Sequence, residues 1–139
     1  MSTETASQAL FDGTPLTGTE VEALYAVAYS FLDMERLASA LHAFRVMVRF
    51  APTDERAWLG LGACHEGFGQ EDIALELYGA GSLVSEPPSS RCLIALARVL
   101  REGGDHAAAC EHVERALTIC DETHDHAFAR QINQDWGLR

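Results

Sequence analysis

The chain of 139 residues contains no lysine: its 10 basic residues are all arginine, set against 21 acidic ones, for a formal net charge of −11. A surface of that sign repels phosphate, so neither nucleic acid nor anionic membrane is expected as a partner. β-Branched residues are few beside Ala, Leu and Glu, which weights the chain toward helix. Proline occurs 4 times and glycine 11 times, while apolar residues make up 47%, a composition that argues against disorder. The length suits one domain. Apolar runs are short, so no stable membrane insertion is expected. The opening MSTETASQALFDG lacks the basic and apolar regions of a secretory signal, and a cytosolic location is expected. Cys64, Cys92, Cys110 and Cys120 form neither a CxxC pair nor a tight disulfide framework. No nucleophile elbow, phosphate loop or HExxH motif occurs, so no enzymatic activity and no cofactor is expected.

What the chain does have is a period of 34 residues. In rows that begin at Val21, Glu55 and Ser89, columns align: Ala40, Ala74 and Ala108; Phe44, Tyr78 and His112; Leu24, Trp58 and Cys92; Val27, Leu61 and Ala95. Each row breaks near its middle, at Asp33-Met34-Glu35, Gly67-Phe68-Gly69 and Gly103-Gly104-Asp105, and the first two end at Pro52 and Pro87-Pro88. Proline cannot continue a helix. Between the breaks the apolar spacing is helical: Leu24, Val27, Ala28 and Phe31 form one packing face, and Leu37, Ala40, Leu41 and Phe44 or Ile73, Ala74, Leu77 and Tyr78 another. Thr19 with Glu22 reads as a capping box, and Asp54 and Asp105 as N-caps.

The pattern predicts an all-α fold of three tandem helix hairpins. One hairpin cannot bury its own apolar face, so the three must stack. A C-terminal capping helix from roughly Asp121 to Trp136 covers the last face. Residues 1–16, which include Gly13 and Pro15, are expected to be a flexible N-terminal segment, and residues 17–139 to form the repeat domain.

These columns resemble the tetratricopeptide repeat, at Leu24, Val27, Ala28, Ala40, Phe44 and Pro52 and again at Trp58, Leu61, Gly62, Ala74 and Tyr78. The resemblance implies a right-handed superhelix with a concave groove. The second row has its proline one place late. The third departs at Cys92 and His112, and a shift of its second helix by one residue would bring Val113 and Ala116 inward. Within the run WLGLGACHEGFGQEDIALELYGAGSL (58–83), and upstream in LYAVAYSFLDMERLASALHAFRVM (24–47), the chain is similar to the class II chaperones of type III secretion translocators. That likeness spans roughly residues 17–119. It implies a bacterial cytosolic chaperone that keeps hydrophobic, pore-forming translocator proteins soluble before export, holding an extended client segment in the groove. It also implies association as a homodimer through N-terminal helical segments.

The first helix of each hairpin should line that groove, with Glu22, Tyr25, Tyr29 and Leu32 from the first, Arg56, Leu59, Ala63 and Glu66 from the second, and Ser90, Leu93, Ala97 and Leu100 from the third. Of these, Tyr25, Tyr29, Leu32, Leu59, Ala63, Glu66, Leu93, Ala97 and Leu100 are the candidate peptide-binding residues. Tyrosine offers large contact area with few rotamers to freeze. Leu59, Leu93 and Leu100 fit a core position equally well, and Tyr25 and Tyr29 could instead pack between repeats.

Other readings are weaker or share the fold. A clamp for carboxylate tails needs Lys and Asn in the groove, where this chain has Tyr25 and Tyr29. A metal site could draw on His106 with Cys110, or Cys120 with His124, beside His112 and His126, but zinc needs four converging ligands. A needle-subunit co-chaperone or a regulatory scaffold would use the same architecture, because fold does not fix the client.

Overall fold

The computed structural model describes residues 16–138, and among these it contains seven helices and no strand. The segment expected to be flexible lies, apart from Leu16, outside the described residues. The helices are α1 (Gly18–Asp33), α2 (Leu37–Phe50), α3 (Glu55–Gly67), α4 (Glu71–Ser82), α5 (Ser90–Glu102), α6 (His106–Glu122) and α7 (His126–Asp135). They pair as three antiparallel hairpins, α1 with α2, α3 with α4 and α5 with α6, with α7 packed on α6 as the cap. Each hairpin also leans on the next through α2 with α3 and α4 with α5, and the first helices meet one another, α1 with α3 and α3 with α5. This last pairing makes α1, α3 and α5 a continuous row.

Local chemistry sets the helix ends. Asp54, Ser89, Asp105 and Asp125 each turn a side-chain oxygen back to a first-turn backbone N–H, satisfying donors that have no partner within the helix. At α1 the cap differs from the expected one: Thr17, not Thr19, accepts from the backbone N–H of Glu20 at 3.2 Å. Both pairs have the same spacing, and the earlier one wins because the helix begins at Gly18. The turns that close the hairpins pass through left-handed backbone at Glu35 (φ 59°), Gly69 (φ 74°) and Gly104 (φ 92°), and glycine adopts that region without strain at the last two.

The core follows the small-residue column. Ala40 and Ala74 are fully buried, and Phe44 and Tyr78, one turn on, are buried beside them. Those rings need glycine opposite. A Cβ on Gly60 would stand 2.1 Å from the Phe44 ring, and one on Gly62 2.3 Å from the Tyr78 ring. The aromatic of each hairpin and the glycine of the facing first helix are therefore one packing unit. Trp58 donates its indole N–H to the Pro52 carbonyl at 2.8 Å, tying α3 to the connection before it.

The third hairpin does not keep the frame of the first two. Glu35 to Gly69, Ala40 to Ala74 and Phe44 to Tyr78 are steps of 34. Gly69 to Gly104, Ala74 to Ala109 and Tyr78 to Val113 are steps of 35, and so is N-cap Asp54 to N-cap Ser89. The extra residue lies in the connection from α4 to α5, which holds Pro87-Pro88. Several expectations shift with it. Ala109, not Ala108, is the buried member of the alanine column, and Val113 and Ala116 are indeed buried. Leu93 takes the place of Trp58 that Cys92 was expected to hold. The cap also starts later, at His126, because α6 runs on to Glu122. Val27 and Ile73, expected on packing faces, are 50% and 39% exposed.

Candidate functional site

The row of first helices carries an apolar hollow of about 160 Å³ between α1 and α3. Tyr25, Tyr29 and Leu32 form one wall and Leu59 and Ala63 the other, with Phe44 and Gly60 beneath and Arg56 at one end. The Tyr25 and Tyr29 ring centroids lie 5.9 Å apart, and those of Tyr25 and Phe44 lie 6.4 Å apart in an edge-to-face arrangement. Tyr25 is half-buried and so held in place, while Tyr29 is 53% exposed. An apolar cavity of about 150 Å³ is known to take a benzene ring, so the hollow has room for one aliphatic or small aromatic side chain from outside.

Arg56 is fixed at the rim. Its guanidinium sits 4.3 Å over the Tyr25 ring. It donates to Asp54 at 2.8 and 3.0 Å and to Glu22 at 2.6 and 3.1 Å. Hydrogen bonds to Asp54 and then Glu22 push its pKa further up, and the same bonds hold both carboxyls below the usual carboxylate range. Glu22 and Arg56 are one repeat apart in sequence and touch in space, as do Glu55 with Ser89 and Arg91 with Asp125. These contacts form rungs from α1 to α3, from α3 to the start of α5, and from α5 to the start of α7.

Five of the nine candidate residues come together: Tyr25, Tyr29, Leu32, Leu59 and Ala63 all line the hollow. The other four do not. Glu66 is engaged internally: it accepts from Arg98 at 2.7 and 2.9 Å and from the Tyr78 hydroxyl. Burial pushes the Glu66 carboxyl up, but the Arg98 and Tyr78 hydrogen bonds outweigh it and leave the pKa lowered. Leu93 and Ala97 are buried in the last core cluster, and Leu100 packs against it. The cause is the extra residue before α5. One residue rotates a helix by about 100°, enough to turn the face with Leu93 and Ala97 inward. With a step of 35, the counterparts of Arg56, Leu59, Ala63 and Glu66 are Arg91, Ile94, Arg98 and Arg101. Sequence reading missed this shift, and it missed Phe44 and Gly60 in the floor of the hollow. The signal for the slip was the late Pro87-Pro88.

Burial raises the thiol pKa of Cys64 and Cys120 and pushes that of Cys92 up to about 11, so these three are poor nucleophiles. Among the described residues no group of three His, Cys, Asp or Glu side chains is placed to hold a metal ion, and no helix is long and apolar enough to cross a membrane. A larger hollow of about 470 Å³ lies near the start of α5, but its walls include Glu55, Ser89, Arg91 and Asp125, which already bond one another. The small apolar hollow is the better site for an apolar ligand.

No family model matches the chain. Among curated proteins it is similar to the low calcium response locus protein H of Yersinia pestis and of Yersinia pseudotuberculosis, with 30% identity over 74 residues. That stretch is 52% of this chain and 44% of theirs, so the match spans under half the length of these relatives. Among solved structures, the Yersinia enterocolitica type III secretion translocator chaperone SycD superposes with a TM-score of 0.77 at 22% identity, covering 91% of this chain and 92% of that one. PcrH, in complex with the chaperone binding region of PopB, gives a TM-score of 0.73 at 25% identity, covering 86% and 96%. The structural neighbours of this fold are translocator chaperones of type III secretion.

Proposed function

We propose that the chain is a cytosolic, non-enzymatic chaperone that keeps a hydrophobic type III secretion translocator soluble by holding an extended segment of it along the row of first helices. The observation that carries this reading is the apolar hollow between α1 and α3, walled by Tyr25, Tyr29, Leu32, Leu59 and Ala63 and open at Tyr29. The likeness to SycD and PcrH supports it, since PcrH is seen with the chaperone binding region of PopB. The net charge of −11 favours the solubility of a protein with an open apolar groove.

The energetics suit a holding role. Burying one Leu or Val anchor contributes ~1.5–3 kcal/mol, and ordering an extended segment costs ~2–5 kcal/mol. Three anchors at the upper figure less the smallest ordering cost leave about 7 kcal/mol, an affinity of about ten micromolar at most, reversible enough for release before export. Tyr25 and Tyr29 supply rigid area and hydroxyls within reach of a peptide backbone.

The test is co-expression with a candidate translocator, comparing the wild type with the Tyr25→Ala, Tyr29→Ala double variant. The wild type should hold the translocator in the soluble fraction, and the double variant should keep its helical circular dichroism but lose co-purification. Full co-purification by the double variant would contradict the reading, and loss of its helical signal would show that the tyrosines are core residues.

A further inference from the structure

The turns that close the three hairpins lie along one edge of the molecule, with Gly67 at the end of α3 facing Leu37 at the start of α2. They do not end alike. The residue that follows the first helix is Met34 in the first hairpin, Phe68 in the second and Gly103 in the third, on the same steps of 34 and 35. Met34 and Phe68 are large and exposed, at 55% and 47%. Gly103 puts no side chain in that place, and there a hollow of about 380 Å³ opens between the start of α4 and the end of α5. Its floor is Leu75, Val99 and Leu100, and its rim is Glu71, Asp72, Glu102 and Asp105. Glu102 meets Arg98 at 3.3 Å, and the other three carboxylates make no ion pair among the described residues. No basic residue lines the hollow, and none of its walls is shared with the hollow between α1 and α3.

We propose that this apolar hollow docks a basic segment of a partner protein other than the client. A Lys or Arg of that segment lays its aliphatic stem on Leu75 and Leu100 and turns its cation to Glu71, Asp72 and Asp105. Such side chains are apolar along the stem and charged at the head, the same order as floor and rim. The unpaired carboxylates repel one another across the hollow, and a cation among them reverses that term. At longer range the net charge of −11 draws a basic partner in and turns an acidic one away. Phe68 and Met34 continue the same edge as exposed apolar area. The footprint is therefore that of a polypeptide with an apolar residue beside its basic one, rather than that of a small cation. Because the two hollows have separate walls, the chain can hold this partner whatever the α1–α3 hollow contains.

Gly103→Phe closes the hollow without changing charge. Gly103 has φ −80°, which any residue adopts, and a Cβ there meets nothing nearer than 3.5 Å. The probe is an array of 12-residue peptides that carry two Arg and two Leu in every spacing, each beside its Glu-for-Arg and Ser-for-Leu counterparts. The array is read with the labelled full-length protein at physiological salt, and the tightest peptide is then measured by fluorescence anisotropy. Peptides with both Arg and Leu should bind, and neither counterpart should. Gly103→Phe should weaken the tightest peptide about tenfold, as should Glu71→Gln with Asp72→Asn, while Tyr25→Ala with Tyr29→Ala should leave it within about twofold. Equal binding by the wild type and a folded Gly103→Phe variant would place the peptides on the acidic surface at large and overturn the assignment. An array in which no Arg and Leu peptide exceeds its counterparts overturns it too. If Gly103→Phe loses its helical circular dichroism, the exposed pair Glu71→Gln, Asp72→Asn decides: binding within about twofold of the wild type refutes the site.

Discussion

The second and third hairpins are built to one plan and present different faces. On α3 the groove positions are Arg56, Leu59 and Ala63, and the residues that meet aromatic rings are Gly60 and Gly62. On α5 the counterpart positions are Arg91, Ile94 and Arg98, which meet Asp125, the last core cluster and Glu66, and Ala95 and Ala97 stand where the glycines were. The knob changes in step: Phe44 and Tyr78 are rings, whereas Val113 is small. A single extra residue in the connection before α5 separates the two frames. In stacked hairpins the length of the connection thus decides which residues of the next helix turn inward.

The comparison breaks first at the knobs. Phe44→Ala should cost ~3–5 kcal/mol, because a fully buried ring leaves a cavity lined by α1 and α3. Val113→Ala removes two methyls and should cost about 2 kcal/mol by the same reasoning. Urea unfolding followed by circular dichroism measures both, and equal costs would show that the third hairpin is packed like the first.

Glycine substitution sharpens the contrast next. Gly60→Ala and Gly62→Ala should each destabilise by ~1–3 kcal/mol, since the added Cβ meets a ring whose position is fixed. The reverse change on α5, Ala97→Gly, should cost about 1 kcal/mol through helix propensity and lost contact. Thermal unfolding should thus show a loss of stability for the change in either direction, and an Ala97→Gly variant more stable than the wild type would contradict the 35-residue step.

The smallest effect concerns the hinge between the two frames, the Glu66–Arg98 pair. Glu66→Gln should cost about 1.5 kcal/mol near neutral pH. The folded-state pKa of Glu66 lies below its ordinary value of 4.5, so its contribution is present above that pH and is lost as pH falls through the folded value. The stability gap between wild type and variant should therefore close on acidification below pH 4.5, and a gap that stays constant would mean that the carboxylate charge contributes nothing.

Much of this was legible in the sequence. The alanine column at Ala40 and Ala74, the rings at Phe44 and Tyr78 and the caps at Asp54 and Asp105 gave seven-helix architecture from period and turn chemistry alone. The α1–α3 half of the groove could be read because the first two rows share one frame. The α5 half could not: a rigid 34-residue grid placed Leu93 and Ala97 on the wrong side, although His112 and the late proline already spoiled the third row. Val27 fits a helical packing face by spacing, yet it is exposed, because among the described residues no helix precedes α1 to cover it. Glu66 sits at a groove position and is taken by Arg98 and Tyr78, a pairing that spans 32 residues and has no local signature.

Where the client lies can be seen by light-activated crosslinking. With a photoreactive phenylalanine in place of Tyr29, at the mouth of the hollow, or of His42, on the exposed face of α2, the co-purified complex is irradiated and the adducts are resolved by mass. Adducts to the client from position 29 and none from position 42 are expected. Adducts from position 42 with none from position 29 would put the client on the outer helices and contradict the groove as the binding surface.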